Sequence, residues 1–288
     1  MNDTELVTGD RSLGAPIELD RNSLMSVRDR RMFRFSARTA AKPFGALGDF
    51  YAMALDTLVS IPRRPFAWRE FLLQTWFVAR VSILPTVMLA IPFAVLMVFT
   101  FNAMLIEFGA ADYTGAGAAL GIVTQVGPMV TVSVVAGAGA TAMCADLGAR
   151  TIREELDALR VLGINPIQAL VVPRVLAATV VALLLVSVVV LVGLTAAFTF
   201  SVFAQHVTAG SFVATLTVLI GPTDVVITLV KSALFGLSAG LIACYKGISV
   251  DGGPAGVGSA VNETVVYSFV ALFVINVIAT AVGVKVTL

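Results

Sequence analysis

Side chains able to carry out chemistry are few in this sequence, and their spacing excludes several kinds of site. The single histidine, His206, has no cysteine or carboxylate at metal-ligand spacing, so we expect a loop histidine there and no metal site. One histidine also gives no Ser-His-Asp or Cys-His arrangement for nucleophilic catalysis. Cys144 and Cys244 are too few for a disulfide framework and are expected to be buried thiols. The sequence therefore predicts no catalytic residues.

Nucleotide binding is not expected in this chain either. The phosphate-binding pattern G-x-x-x-x-G-K-[ST] does not occur. The glycine-rich residues 252–258 follow a membrane-length apolar segment, not a strand, and we interpret them as a flexible turn. No cofactor is therefore predicted for this chain.

Polar side chains inside apolar segments are the remaining chemical signal, because a charge at the centre of a bilayer costs a few kcal/mol. Lys231 lies about seven residues, or ~10 Å, inside the fourth apolar segment. It could extend to the headgroups, pair with Asp224, or line a polar cavity in a transport pathway. Gln125 is a milder case in the second apolar segment, where hydrogen bonding between helices is the alternative explanation.

The longest polar interruption of the apolar part is residues 148–174, between two membrane-length segments. Ile152, Leu156 and Leu159 recur at helical spacing, and charged residues fill the other positions. Gly163 follows, and glycine suits the C-terminal cap of a helix. The pattern predicts an amphipathic helix of about three turns. Such a helix either binds a partner protein or lies on lipid headgroups.

The composition around these residues is that of a membrane protein. Of the 288 residues 58% are hydrophobic and 13% charged, whereas about a quarter of a soluble domain is charged. The formal net charge of +1 gives no indication of a nucleic-acid partner. Five segments are long enough to cross about 30 Å of hydrocarbon. They are residues 81–106, 115–145, 175–203, 225–245 and 264–284. The predicted fold class is all-α, a polytopic membrane helical bundle.

Basic residues predict the orientation of this bundle. Twelve of the 19 Lys and Arg residues precede residue 81, loops 107–114 and 204–224 contain none, and loop 146–174 contains four. By the positive-inside rule, the N-terminus and residues 148–174 are cytoplasmic and the C-terminus is extracytoplasmic. We therefore predict a multi-pass protein of the plasma (inner) membrane.

The chain before the first span divides into two predicted regions. Residues 1–42 carry eight basic and six acidic side chains without sustained periodicity, which predicts a charged, partly mobile cytoplasmic extension. Residues 43–80 are predicted to form amphipathic or interfacial helices over 44–60 and 66–80. Both tryptophans lie in the second of these, near arginines, as is typical at the headgroup level. Residues 81–288 make up the five-span domain.

The stretch AGAGATAMCADLGARTIREELDALRVLGINPIQALVVPR runs from the second apolar segment to the start of the third. It resembles the signature region of the MlaE/YrbE permease family, the membrane subunits of lipid-transporting ABC systems. Supporting stretches are RRPFAWREFLLQTWFVARVSILPT and LVKSALFGLSAGLIACYKG. The resemblance covers about residues 45–288, and the tryptophan-containing stretch resembles members encoded with Mce proteins.

The resemblance implies an interfacial elbow helix over about residues 66–80, five spans, and a cytoplasmic coupling helix over about residues 151–163. Each coupling helix of a permease pair would dock on an ABC ATPase, a separate chain that binds ATP-Mg. The implied polar contacts come from the charged residues of the helix, and its leucines would seat it on the ATPase or against the spans. These residues are Arg153, Glu154, Glu155, Leu156, Asp157, Leu159, Arg160 and Leu162. Lipid would pass between the paired subunits, and Mce-type proteins would receive or deliver it outside.

Two positions depart from the family pattern. Many relatives have Glu where this chain has Gln125, and some have Arg at the place of Ala138. A subunit without both charges is expected to pair with a different YrbE-type subunit that supplies the carboxylate. Gln125 and Lys231 are the residues that we assign to the lipid pathway.

Three functions compete at this point. The first is an ABC-type permease for lipids or fatty acids that works with Mce-type proteins and has no ATPase activity of its own. The second is an ion-coupled secondary transporter, suggested by Lys231, although the odd number of spans and the lack of an inverted repeat argue against it. The third is a non-transporting membrane scaffold that anchors a cytoplasmic protein through residues 148–174.

Overall fold

The computed structural model describes residues 43–62 and 66–287, and their regular structure is helical. In chain order the helices are α1 Pro43–Ser60, α2 Trp68–Glu107, α3 Thr114–Ile152, α4 Glu155–Val161, α5 Ile167–Phe203, α6 Ala209–Thr215, α7 Pro222–Ile248 and α8 Pro254–Thr287. Within the described ranges five helices, α2, α3, α5, α7 and α8, are long and apolar enough to cross a membrane. The predicted all-helical, five-span architecture is confirmed.

The chain forms two compact units, residues 1–49 and 50–288. In the first unit the described residues are 43–49, the first turns of α1. The predicted charged extension, residues 1–42, lies outside the described residues. The second unit contains the rest of α1 and all the spans. α1 covers the first of the two helices predicted for residues 43–80, and Met53 and Thr57 are buried while Tyr51 and Leu55 are exposed. Its amphipathic or interfacial role stays a prediction.

α2 is one continuous helix of 40 residues. The segment predicted as an elbow helix, residues 66–80, is therefore continuous with the first span, since no glycine or proline interrupts the chain between Trp68 and Leu84. Its position at the headgroups stays a prediction. One buried residue recurs every four positions along α2, so a narrow stripe packs against the bundle. These residues are Gln74, Val78, Ser82, Thr86, Ala90, Ala94, Val98 and Asn102.

α3 is the most deeply buried span. Two π-helical turns, Ile122–Val126 and Val135–Gly139, interrupt its α-helical pattern. The first ends where Gly127 is followed by Pro128, which has no N–H to donate to the helix. Buried residues from α3, α5 and α7 meet along its length, for example Val130, Leu185 and Phe235.

The second and fourth spans each carry two glycines four residues apart, a spacing that favours close packing between helices. α3 and α7 do pack on each other, for example where Thr228 donates to the carbonyl of Val123, but not through these glycines. Gly117 and Gly121 of α3 lie against Phe101 and Met97 of α2, whereas the pair on α7, Gly236 and Gly240, lies against α5. Small residues four apart allow another helix to approach closely, but their spacing does not show which helix that is. A Cβ added at Gly236 would lie 2.5 Å from the carbonyl oxygen of Ala178.

We predict that Gly236→Ala destabilises the bundle by about 1–3 kcal/mol, because α7 would have to move away from the backbone of α5. Thermal unfolding of the detergent-solubilised protein measures this loss. Gly258→Ala is the matched control, since it gains the same helix propensity in α8 and its added Cβ meets nothing within 4 Å. Equal melting temperatures for the two variants would contradict the prediction.

Candidate functional site

The predicted coupling helix is shorter than expected. α3 continues to Ile152, and the chain then turns at Arg153 and Glu154 before α4 begins at Glu155. Glu154 has a φ of 58°, a left-handed backbone conformation that interrupts the helix. The expected single helix over residues 151–163 was therefore wrong in its boundaries. The break gives α4 a direction independent of α3.

The C-terminal end of α4 agrees with the sequence prediction. Gly163 has a φ of 76°, and its N–H donates to the carbonyl of Arg160 at 3.0 Å. The N–H of Ile164 donates to the carbonyl of Leu159 at 2.9 Å, which completes a Schellman-type cap. Asn165 then accepts a hydrogen bond from the N–H of Ile167, so the start of α5 is fixed as well.

The leucines of α4 point to different surroundings. Leu156 is 4% exposed and packs with Leu147, Leu170 and other buried residues of α1, α3, α5 and α7, and Leu159 is partly buried in the same cluster. Leu162 is 72% exposed, next to Val161 at 87%. Two of the predicted leucines therefore hold α4 against the bundle, and the third remains on its free surface.

The charged residues predicted for coupling lie on that free surface. Arg153 Nε lies 3.2 Å from a carboxylate oxygen of Glu155, and Arg160 Nη1 lies 2.6 Å from one of Asp157. Both pairs are largely exposed, so each contributes at most about 1 kcal/mol to stability. Glu154 is exposed as well. These side chains are thus available to a partner and are not needed to hold α4 in place.

A buried ionic contact that was not predicted from the sequence lies beside α4. Arg174, near the start of α5, is 0% exposed. Its Nη2 lies 2.6 Å from Oδ2 of Asp146 on α3 and 3.3 Å from Oε1 of Glu70 on α2. Its Nη1 donates to the carbonyl of Leu170. One guanidinium therefore joins three spans at the end of the bundle that carries α4.

Two further side chains complete this group. Arg150 lies 3.4 Å from Asp146 and 3.7 Å from Glu70, and the side-chain amide of Gln74 donates to Glu70 at 3.0 Å. We call these five residues, Glu70, Gln74, Asp146, Arg150 and Arg174, the charge cluster. A signal was present in the sequence, because Asp146 is the one carboxylate between residues 113 and 153 and Arg174 the one arginine or lysine between 161 and 230. An isolated charge at the end of an apolar run needs a partner.

The two residues assigned to the lipid pathway lie in different surroundings. Gln125 is exposed on α3, within its first π-helical turn. Lys231 is 4% exposed, and its Nζ donates to the hydroxyl of Thr280 on α8 at 2.9 Å. Among the described residues Lys231 and Asp224 form no ion pair, and the Asp224 carboxylate accepts from the N–H of Gly221 at the start of α7. Their part in a pathway stays a prediction.

Comparison with known proteins gives a consistent set of similarities. The sequence profile of the family described as Permease MlaE matches residues 71–282. A probable ABC transporter permease protein of Synechocystis is 32% identical over 182 residues, 62% of this chain and 69% of the relative. A probable ABC transporter permease protein of Rickettsia bellii is 28% identical over 243 residues, 84% of this chain and 93% of the relative. The Arabidopsis thaliana protein TRIGALACTOSYLDIACYLGLYCEROL 1, chloroplastic, is 31% identical over 163 residues, 57% of this chain and 47% of the relative.

The different burial of the leucines predicts different effects of truncating them. Leu156→Ala is expected to lower the free energy of unfolding by about 2–5 kcal/mol, because it leaves a cavity beneath α4. Leu162→Ala is expected to change it by less than about 0.5 kcal/mol, because the side chain is exposed. Unfolding of each purified variant measures both values. A Leu162→Ala loss as large as that of Leu156→Ala would show that α4 is seated differently.

Proposed function

This chain belongs to the MlaE permease family, and from that premise we propose that it is the membrane subunit of an ATP-driven transporter of lipids or fatty acids. Relatives named as probable ABC transporter permeases support the transporter class. The Arabidopsis relative carries the name of a glycolipid, which supports a lipid as the transported molecule. The observation that carries the proposal is α4, a short helix whose inner face is buried and whose outer face is unoccupied within the described chain.

We assign the outer face of α4 to an ABC ATPase on the cytoplasmic side of the plasma membrane. Exposed Val161 and Leu162 supply the apolar centre at the C-terminal end of α4, and the charged side chains of Glu155, Asp157 and Arg160 lie on the turns before it. An apolar centre with a polar rim is the usual anatomy of a protein interface. In this assignment the ATPase binds ATP-Mg, and this chain contributes no nucleotide site.

The cap at Gly163 and the turn at Glu154 suit α4 to mechanical coupling. Both ends of the helix are fixed by backbone geometry, and Leu156 anchors its inner face. A push on the outer face would therefore move the attached spans without first deforming α4. Rigid-body movement of packed elements is one of the common ways in which proteins transmit a conformational change.

The surface of α3 suggests where a second permease subunit binds. α3 is the most buried span, yet Gln125, Met129 and Gly137 are exposed at intervals of four and eight residues on one face. An amide facing hydrocarbon is unfavourable unless another chain covers it. We assign this face to a different YrbE-type subunit that supplies the missing carboxylate, with lipid between the two subunits. Lys231 is 4% exposed and bonded to Thr280, so it would meet that lipid only when α7 and α8 move apart. Mce-type proteins would bind on the outer side.

Reconstitution tests this function directly. The chain is co-expressed with its ATPase and partner subunits, placed in proteoliposomes, and given NBD-labelled phospholipid or fatty acid. We expect ATP-dependent transfer of the label to acceptor vesicles, and none with a non-hydrolysable ATP analogue. Labelled lipid that moves equally with and without ATP, or not at all in an ATP-hydrolysing complex, would overturn the lipid-transport assignment.

We predict that Leu162→Asp, or Glu155→Lys with Asp157→Lys, lowers co-purification of the ATPase at least about tenfold. The first change places a charge in the apolar centre, and the second reverses the charge of the rim. Leu219→Asp is the control, because Leu219 is similarly exposed at the other end of the bundle.

Transport measured on the same variants separates the competing functions. Loss of the ATPase together with transport supports the coupled permease. Transport that survives this loss would favour an ion-coupled carrier instead. Loss of the ATPase from a protein that never transported would favour a scaffold.

A further inference from the structure

The apolar cluster around Leu156 seats the inner face of α4. The charge cluster acts on the spans at either end of the segment that carries α4. Asp146 and Arg174 are 28 residues apart in sequence, and their contact at 2.6 Å brings together the end of α3 and the start of α5. The segment between them, which carries α4, therefore has its two ends fixed to each other. A force on α4 reaches both spans as one unit.

Glu70 belongs to a different helix and attaches α2 to that unit. It lies 3.3 Å from Arg174 and 3.7 Å from Arg150, both of which are in the unit that carries α4. Gln74, one turn further on, is the first buried residue of α2. At this end of the bundle, Glu70 therefore links α2 to α3 and α5 just before the buried stripe of α2 begins at Gln74.

The positions of the donors and acceptors allow Glu70 to stay paired with an arginine while α2 and the neighbouring spans move. Glu70 and Asp146 share Nη2 of Arg174, and Arg150 lies within 4 Å of both carboxylates. Glu70 can therefore shift from one guanidinium to the other while its charge stays paired. Nε of Arg174 and Oε1 of Gln74 are buried without a hydrogen-bond partner among the described residues, which leaves one donor and one acceptor for a second arrangement.

We infer that Glu70 is a positioning residue that makes α2 follow the movement of α4. The inference rests on the proposed function, since it names the route by which ATPase movement reaches the first span. Asp146 and Arg174 keep the segment that bears α4 closed, and Glu70 carries its displacement to α2. A neutral side chain at Glu70 would leave the closed segment intact and free only the first turns of α2 from it, because the buried stripe from Val78 to Asn102 keeps the rest of α2 packed on the bundle.

Transport per ATP hydrolysed separates this role from a structural one. In proteoliposomes of the full complex, Glu70→Gln is expected to lower the NBD-lipid moved per ATP about fivefold, with ATPase co-purification and melting temperature near wild type. Glu70→Asp keeps the charge and is expected to recover part of the ratio. Asp146→Asn is the structural contrast, because it leaves the fully buried Arg174 without its nearest partner and should lower the melting temperature.

Glu263→Gln is the matched control. Glu263 pairs with Lys246 and so joins α7 to α8 outside the cluster, and its neutralisation is expected to leave the ratio unchanged. Two results would overturn the inference. One is a Glu70→Gln complex with the wild-type ratio. The other is a Glu70→Gln complex whose melting temperature falls as far as that of Asp146→Asn and which also loses ATPase binding.

A distance measurement keeps the test independent of the transported molecule. Spin labels at Leu73→Cys on α2 and Ile164→Cys, directly after the cap of α4, are placed on exposed residues outside the face assigned to the ATPase, and the native cysteines are fully buried. When the ATPase binds a non-hydrolysable ATP analogue, we expect the distance to stay constant with Glu70 and to change with Glu70→Gln. Equal behaviour of the two would contradict the inference. A wild-type complex that moves no labelled lipid would count against the proposed function, while this distance still decides the role of Glu70.

Discussion

Burial of the Arg174 guanidinium constrains the end of the bundle that carries α4. A buried cation is unfavourable by several kcal/mol unless carboxylates and carbonyls compensate it. Here the compensation comes from α3, α2 and the preceding turn of α5. These three elements must therefore meet at one point, and the segment between α3 and α5 must leave the bundle and return within a short distance. The compact turn–helix–cap of α4 satisfies that requirement.

The interior of the bundle is held in a different way. Most hydroxyl groups of the spans donate to the carbonyl one turn earlier in the same helix, as Thr86, Thr131 and Thr179 do. Such bonds satisfy the side chain and leave the contact surfaces between helices apolar. Among the described residues, polar bonds between spans are few, for example Thr228 to the carbonyl of Val123. Apolar surfaces with small residues have little directional preference, whereas the charge cluster has a strong one. The spans can thus shift against one another while their ends at α4 stay in register.

Local sequence patterns predicted the features that depend on nearby residues. The five apolar segments are membrane-length helices, as predicted, and Gly163 caps α4, as predicted. Segment length, hydropathy and a glycine cap depend only on residues close together in the sequence. Contacts between distant positions were not predictable in the same way. The glycine pairs of α3 and α7 face different neighbours, and the charge cluster joins residues on three helices. The spacing of residues along one helix does not reveal contacts with another helix. The isolation of Asp146 and Arg174 in apolar sequence nevertheless indicated that each needed a partner.

The spacing of the leucines and the break at Glu154 together give α4 one buried face and one exposed face. Residues three apart in an α-helix are rotated by about 300°, so each step of three drifts by about 60° around the axis. Leu162 is therefore rotated by about 120° from Leu156, and the row of leucines that looks like one apolar face winds from the bundle toward the outer surface. Had α3 continued through residue 154, that winding surface would have followed the axis of α3. Because Glu154 adopts a left-handed conformation, α4 takes its own direction, with Leu156 against the spans and Leu162 exposed. The same seven-residue helix can then be anchored and bind a partner at once.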